Sequence, residues 1–458
     1  MSSYNNKRYT TREGGTTMKS IRKYRLNDIE HIKSSEDREE YEKDYARLIQ
    51  SPAFRRLQGK SQVFGAGSGD YYRTRLTHSI EVSQIAREVS RKLGKIYPFL
   101  NQDIHPGLKI VPEVVEIASL AHDLGHPPFG HKGEEVLNEL LQGKYGSHYE
   151  GNAQNFRILM FLEKRAGSDK GLDLTAAALL AINKYPYLIG ENGKHKGVYK
   201  AEWEGISYLR DLWKIPEGCR TLEAQLMDLC DDIAYSTHDI EDGIRAGKIQ
   251  LTEDFLLDAR LIDNVVQEIV NDPASMSAFH WANIDIRQMV SNVLDEYYLQ
   301  WKRIYEKYGR EVSRSRREMK AQWVNYFASL VGIIDDPHTI GWKKVTFVKG
   351  GVEDVYTLRT MEILKKLAWV TMIKDFRVQR LQKRSENMLH KLWDSLEDEA
   401  AGRLILPPDW IESYDLLKHE WPWEKLITDY IAGMTDHYAE KVYTELFASR
   451  SGSIYERD

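Results

Sequence analysis

The residues best suited to chemistry stand in one short segment, AHDLGHPPFGHKGEE, at positions 121–135. His122 and Asp123 are adjacent, so on a helix their side chains diverge by about 100°, and an ion lying over the helix can take one ligand from each. A neutral imidazole nitrogen with a carboxylate oxygen suits Mn, Fe, Co, Ni or Zn better than Ca. Such a dipeptide is common by chance, so a metal site needs further ligands from elsewhere in the chain.

A second segment, LEAQLMDLCDDIAYSTHDIED at 222–242, has the apolar spacing of a helix. Asp231, Tyr235 and Asp239 are spaced at i, i+4 and i+8 and line one helical face. The neighbouring Asp232 points about 100° away. We therefore predict Asp231 as the ligand, because it alone shares a face with Tyr235 and Asp239.

A third segment, RTRLTHSIEV at 73–82, puts His78 at the start of an amphipathic helix. Arg75 stands three residues earlier, on the same side of that helix. Two imidazole nitrogens and two carboxylates would then form the metal site, leaving coordination positions for water and a substrate phosphate. The predicted ligands are His78, His122, Asp123 and Asp231.

Apolar side chains recur at helical spacing from about residue 37 to about 310. The elements that position the candidate residues are therefore predicted to be helices. Gly125 and the two prolines after His126 end the helix that carries the His-Asp pair. The best strand is KKVTFVK at 343–349, and 194–200 is a hairpin or a surface loop. The sequence predicts an all-α fold with a minor β component.

Three regions follow from composition along the chain. Residues 1–36 are polar and form a predicted arm with little core of its own. Residues 37–310 form the predicted catalytic domain, and 311–458 a smaller helical region. The boundary near 310 is weak, and the two regions can equally be one continuous domain.

Overall composition excludes several classes of protein. Lys and Arg number 64 against 69 Asp and Glu, a net charge of −5, which rules out a chain-wide cationic coat for nucleic acid. Two cysteines exclude a disulfide scaffold or a Cys-rich zinc site and fit a reducing compartment. The longest apolar run, at 176–182, is far below the roughly 18 residues that cross a bilayer. Without a signal-peptide pattern at its start, the chain is predicted to be cytoplasmic.

Six segments in order resemble the signature motifs of the deoxyguanosine triphosphate triphosphohydrolases, a family of HD-domain metal phosphohydrolases. They are FRRLQGKSQVF (54–64), RTRLTHS (73–79), AHDLGHPPFGHKGE (121–134), EGNAQNFRIL (150–159), LTAAALLAINKYP (174–186) and DDIAYSTHDIEDG (231–243). The resemblance implies the helical HD fold and hydrolysis of dGTP or several dNTPs to deoxynucleoside and inorganic triphosphate. It departs from the family after Phe64, where GAGSGDYY replaces the usual proline, and it is loose over the C-terminal two-fifths.

The resemblance also implies roles for individual residues. His131 with Glu134 would carry protons. Alternatively, the pair would only support the loop that follows His122 and Asp123, the metal loop. His126 would be an outer neighbour of the metal or touch phosphate. Cations for the triphosphate would come from Arg75, Lys184 and Lys196, and the sugar would be held by Gln58, Tyr235 and Asp239. Asn152 either contacts phosphate or water, or orders its own loop.

Cofactor and partners are expected as follows. The metal is divalent, with Mn favoured over Mg, Fe, Co, Ni and Zn, and the chain forms a homo-oligomer, a hexamer being one option. The first alternative is another HD phosphohydrolase, acting on nucleoside monophosphates, cyclic nucleotides or guanosine tetraphosphate. The second is a nucleotide sensor or single-strand-binding protein using the basic stretches 314–320 and 377–384, which are more often solvated helix faces.

Overall fold

The computed structural model describes residues 21–26, 38–62, 73–164, 171–309, 311–417 and 421–447, and these contain twenty α-helices. The helices are α1 (Glu40–Gln50), α2 (Pro52–Arg56), α3 (Arg75–Ile96), α4 (Pro112–Ala121), α5 (Gly130–Tyr145), α6 (Gly151–Arg157), α7 (Ala176–Ile182), α8 (Lys200–Leu212), α9 (Leu222–Arg245), α10 (Glu253–Leu256), α11 (Ala259–Val270), α12 (Pro273–Ala278), α13 (Ile286–Tyr308), α14 (Val312–Leu330), α15 (Val355–Ala368), α16 (Phe376–Glu397), α17 (Glu399–Ile405), α18 (Pro408–Leu417), α19 (Trp423–Ala432) and α20 (Asp436–Phe447). The predicted all-α class is confirmed. Within these ranges, no helix combines the length and apolar character that crossing a membrane requires.

The β component is one antiparallel sheet of three strands, β1 (Val331–Asp335), β2 (Lys343–Lys349) and β3 (Val352–Glu353), in the order β1-β2-β3. The predicted strand at 343–349 is confirmed with its bounds, and Ile333 pairs with Val345 in its register with β1. The segment 194–200 is a loop joined to Leu188 by a single bridge at Val198, and Lys200 begins α8.

Local signals explain the ends of the helices around the predicted site. Thr74 caps α3 by accepting from the Thr77 amide, and Thr221 caps α9 by accepting from the Ala224 amide. Pro112 occupies the first turn of α4, where its missing N–H costs nothing. At Gly125, a Cβ would lie 2.1 Å from the Gly151 carbonyl oxygen, so only glycine lets the metal loop approach α6.

The buried apolar side chains form two clusters. The larger cluster runs from Leu48 to Ala368 and includes Ile304 and Met319, so it continues across the boundary predicted near residue 310. The smaller cluster joins one face of α5 to helices α16, α18, α19 and α20. The α5 helix, which carries His131 and Glu134, therefore has the C-terminal region as its packing partner. The domain division itself stays a prediction.

Residues 21–26 lie in the predicted N-terminal arm, yet they pack against the body of the protein. Arg22 is 2% exposed, and its guanidinium lies 2.5 Å from the Glu223 carboxylate on α9. Arg25 pairs with Asp44 at 2.8 Å, and Asp44 also accepts from the Thr175 amide and hydroxyl. Buried ion pairs thus fix this part of the arm, together with Ile21, Tyr24 and Leu26, which pack against the larger apolar cluster.

Replacing Arg22 with methionine should lower the free energy of unfolding by about 3–5 kcal/mol, because the Glu223 carboxylate would remain buried without its partner. Chemical denaturation measures this change. The adjacent Lys23→Met serves as the control, because its partner Glu39 has a largely exposed side chain. Its cost should stay within about 1 kcal/mol. Equal losses in the two variants would contradict a stabilising role for the buried pair.

Candidate metal centre

Three helices bring the predicted ligands together. His78 lies in the first turn of α3, His122 and Asp123 follow the last residue of α4, and Asp231 lies in the middle of α9. Helices α3, α4 and α9 pack directly against one another. His78, His122 and Asp123 are almost fully buried. The end of α4 therefore faces the side of α9 that carries Asp231.

The ligand atoms converge on one point. One donor atom each from His78, His122 and Asp123 lies within 4.8 Å of the others. The Asp231 Oδ1 atom lies 3.0 Å from His78 Nε2 and 3.4 Å from His122 Nε2. The His122 Nδ1 atom donates to the Ser119 carbonyl at 2.6 Å, which orients the ring so that Nε2 faces the centre.

Electrostatics favour a cation at this point. Burial raises the pKa of Asp231, but His122 and Lys184 outweigh it and hold that pKa well below the usual value. Burial lowers the pKa of His122, but the Asp123 and Asp231 carboxylates outweigh it and raise that pKa to about 9. Two ionised carboxylates and two imidazole nitrogens form a donor set that fits a divalent metal. Residues that can bind such a metal are thus present.

The neighbouring Asp232 faces elsewhere. Its Oδ1 accepts from Lys365 of α15 at 2.7 Å. The structure therefore places Asp231, and not Asp232, beside the two histidines, as the face argument predicted.

Two predicted phosphate-binding cations already pair with carboxylates of the centre. The Arg75 guanidinium donates to Asp123 Oδ2 at 2.9 Å, and its side chain is buried. The Lys184 ammonium lies 2.7 Å from Asp228 and 3.4 Å from Asp231. Both cations therefore stand where a phosphate bound at the metal would meet positive charge.

A second group of titratable residues adjoins the first. His126 Nδ1 lies 3.0 Å from Asp123 Oδ1, and the His126 and His131 rings are 5.3 Å apart. His131 Nδ1 lies 3.2 Å from Glu134 Oε2, and Glu134 Oε1 accepts from the Gly151 amide at 2.7 Å. Burial raises the pKa of Glu134, but the hydrogen bond from His131, the charges of His126 and His131 and the Gly151 amide together outweigh it and lower that pKa to about 2. The ionised Glu134 can therefore orient His131, whose side chain is 63% exposed and open to a substrate.

The predicted sugar residues follow the centre along α9. The Tyr235 ring packs edge-on against His78, with their centroids 6.3 Å apart. Asp239 is 3% exposed, and burial followed by the charge of Asp242 raises its pKa well above the usual value. Gln58 is exposed on the turn Leu57–Gly59. The structure brings Tyr235 to the centre and leaves Gln58 on the surface two residues before Lys60.

The two remaining candidates make local contacts. Asn152 Nδ2 donates to Glu150 Oε1 at 2.6 Å. The Lys196 ammonium lies 3.4 Å from the Tyr185 hydroxyl and 5.1 Å from the centre of that ring. The Gly-rich segment after Phe64, where the sequence departs from the family motif, lies outside the described residues.

The basic stretches are partly neutralised. On α14, Lys320 lies 3.2 Å from Glu241 and Arg316 lies 3.8 Å from it. On α16, Lys383 pairs with Glu386, and Arg384 pairs with Glu440. These contacts favour the interpretation as helix faces with ion pairs over a phosphate-binding surface.

Sequence reasoning missed two residues that support the site, Asn155 and Lys60. Asn155 bridges the metal loop, because its amide oxygen accepts from the Gly125 N–H and its amide nitrogen donates to the His122 carbonyl, both at 2.6 Å. The Lys60 ammonium donates to the His126 carbonyl at 2.5 Å and to the Ala432 carbonyl at 2.8 Å. Burial and the nearby Arg75 lower the pKa of Lys60 to about 7. Both residues lie inside signature segments, and that was the only signal for them.

Comparison with known proteins connects both halves of the chain to phosphohydrolases. The HD domain model matches residues 75–236, and the phosphohydrolase-associated domain model matches 355–445. The deoxyguanosinetriphosphate triphosphohydrolase-like protein 2 of Vibrio cholerae is 33% identical over 422 residues, or 91% of this chain and 90% of the relative. A like-named protein of Geobacter sulfurreducens is 32% identical over 414 residues, 90% of this chain and 89% of the relative. One from Bifidobacterium longum is 42% identical over 246 residues, 51% of this chain and 47% of the relative.

Proposed function

Because the chain belongs to the family of HD-domain deoxyguanosinetriphosphate triphosphohydrolase-like proteins, we propose that it hydrolyses deoxynucleoside triphosphates to deoxynucleoside and inorganic triphosphate. Phosphohydrolase chemistry comes with the family, whereas the dNTP substrate and the bond that breaks are our proposal. It rests above all on the meeting of four ligand side chains beside a histidine–glutamate pair. The four are His78, His122, Asp123 and Asp231.

The residues have separable tasks in the proposed reaction. A divalent cation bound by the four ligands would polarise a phosphate oxygen and lower the pKa of a water. Arg75 and Lys184 add positive charge where the α-phosphate would lie. His131, oriented by Glu134, is exposed enough to reach the 5′-oxygen and give it a proton as the bond to phosphorus breaks.

The remaining candidates would hold the two ends of the substrate. Tyr235 and Asp239 follow Asp231 on the same face of α9, so a sugar lying along that helix would contact both. Gln58 is exposed in this structure, and its part in holding the sugar rests on the family resemblance. Asn152 and Lys196 would meet the outer phosphates, where the charge of Lys196 offsets theirs.

Incubation of dGTP with the manganese-loaded protein should yield deoxyguanosine and inorganic triphosphate in equal amounts, measured by ion-exchange chromatography. GTP is the matched control substrate, and we expect its hydrolysis to be roughly 10²-fold slower if the site packs against the 2′ position. Pyrophosphate with dGMP, or phosphate with dGDP, would contradict the assigned bond. Activity only on nucleoside monophosphates, cyclic nucleotides or guanosine tetraphosphate would move the chain to another phosphohydrolase class.

Metal, assembly and location complete the proposal. Mn is the metal that we favour among those that oxygen and imidazole ligands together suit. We further propose a cytoplasmic homo-oligomer, up to a hexamer, since the chain carries 26 Tyr and 11 Trp and these residue types are common at interfaces. Elemental analysis of the purified protein tests the metal, and light scattering tests the assembly.

A further inference from the structure

The turn between the metal loop and His131 has a backbone conformation that its own sequence disfavours. Phe129 has φ 65 and ψ 20, in the left-handed region, and Gly130 follows with φ 61. A bulky residue other than glycine persists in this region only where its surroundings hold it there. The turn lies between Asp123 and His131, so its shape decides how the proton-carrying residue stands relative to the metal.

Asp436, at the start of α20, holds this turn. It is 3% exposed, and its Oδ1 accepts from the Phe129 N–H at 2.9 Å. Its Oδ2 accepts from the Ser61 N–H at 3.1 Å and also from the Ser61 hydroxyl. Hydrogen bonds to a carboxylate are stronger than those between neutral groups. One side chain from the C-terminal region thus ties the turn to the segment that precedes α3.

The same segment is linked to the metal loop through Lys60. Its ammonium donates to the His126 carbonyl, three residues before Phe129, and to the Ala432 carbonyl, four residues before Asp436. The Lys60 carbonyl accepts from the Arg75 N–H at 3.1 Å, and the Arg75 side chain reaches Asp123. A continuous series of hydrogen bonds therefore connects the C-terminal region to both sides of the site.

We propose that Asp436 is a positioning residue that keeps Phe129 in its left-handed conformation and so places His131 against the leaving oxygen of the substrate. The inference rests on the proposed function and adds to it that the phosphohydrolase-associated region supplies part of the active-site geometry. Asp436 acts through the turn, because its hydrogen bonds go to Phe129 and Ser61.

Asp436→Asn should lower kcat by about 10- to 100-fold, since a small displacement of a catalytic group has effects of this size. KM should change less than about 3-fold, and manganese stoichiometry should not change, because the hydrogen bonds of Asp436 go to the turn and not to a ligand. Amide exchange measured by mass spectrometry should rise in the peptide that contains Phe129. Trp423→Phe is the matched control: it removes a buried hydrogen bond, to the Leu396 carbonyl at 2.8 Å, from the same C-terminal packing.

A double-mutant cycle with Phe129→Gly separates positioning from general destabilisation. Glycine adopts a φ near 65 without penalty, so the turn needs less help from Asp436. The kcat loss caused by Asp436→Asn should therefore be smaller in the Phe129→Gly background. An equal loss in both backgrounds, or a loss no larger than that of Trp423→Phe, would overturn the proposal.

Two further measurements keep the outcome decisive. If Asp436→Asn does not fold, Ser61→Ala removes one partner of the same carboxylate. It should give a smaller kcat loss with KM unchanged, and a wild-type kcat would overturn the proposal.

Amide exchange needs no nucleotide. Unchanged exchange at the turn in Asp436→Asn would refute the positioning role even in an active enzyme, and raised exchange would support it even if no dNTP were hydrolysed.

Discussion

Asp231→Asn should abolish manganese binding and lower kcat by about 10³-fold, the equivalent of about 4 kcal/mol of transition-state stabilisation. Asp231 Oδ1 is the atom that both His78 Nε2 and His122 Nε2 approach, at 3.0 and 3.4 Å. An amide in its place keeps the volume but loses the charge that holds a cation between them. Electron paramagnetic resonance of bound Mn²⁺, together with dGTP hydrolysis, measures both effects.

The adjacent Asp232→Asn provides the control for this prediction. Asp232 lies on the same helix and is partly buried, but it accepts from Lys365 at 2.7 Å. Its replacement removes an ion pair without touching the two histidines, so manganese stoichiometry should stay unchanged and kcat should fall less than about 10-fold. If Asp232→Asn lost the metal while Asp231→Asn retained it, the ligand assignment would be wrong.

Much of the metal centre was predictable because its signals are local. The helical spacing around His78 and Asp231 and the Gly-Pro stop after Asp123 each depend on a few neighbouring residues, and those elements formed as expected. The choice of Asp231 over Asp232 needed only the 100° turn between adjacent helical residues. The strand β2 was likewise visible in its own alternation, whereas β1 follows α14 directly and is fixed by long-range contacts: it pairs with β2, and the Ile333 N–H donates to the Tyr97 hydroxyl.

Long-range pairing accounts for what the sequence left out. The partner of the Phe129 amide lies 307 residues further along the chain, and no local pattern marks Asp436 as its acceptor. From the sequence, Arg75 and Lys184 were predicted to be cations available to a phosphate. Their carboxylate partners, Asp123 and Asp228, are close to them only in the folded protein. The ion pairs of residues 21–26 need Glu223 and Asp44, which approach them only in the folded protein, so composition alone suggested an arm without a core.

His131→Asn should lower kcat by about 10²- to 10³-fold while leaving manganese binding intact, because it removes a proton carrier and not a ligand. His131 contacts Glu134 at 3.2 Å, and His126 lies between it and Asp123, a predicted ligand. Steady-state kinetics and the stoichiometry of bound Mn²⁺ measure the two halves of this prediction. Loss of the metal in this variant would place His131 among the ligands.

The half-buried His148→Asn is the matched control, since His148 contacts Gln142 at the far end of α5. Its kcat should stay within about 2-fold of the wild type, as expected for a substitution outside the candidate site.

The dependence of the rate on pH tests the role of Glu134. The pKa of Glu134 is about 2, so Glu134 stays ionised at and above pH 5, and neither limb of a rate profile between pH 5 and 9 can come from its titration. Glu134→Gln should therefore lower kcat across that whole range, because it removes a charge that the wild type carries throughout; a loss confined to one limb would contradict the orienting role of Glu134.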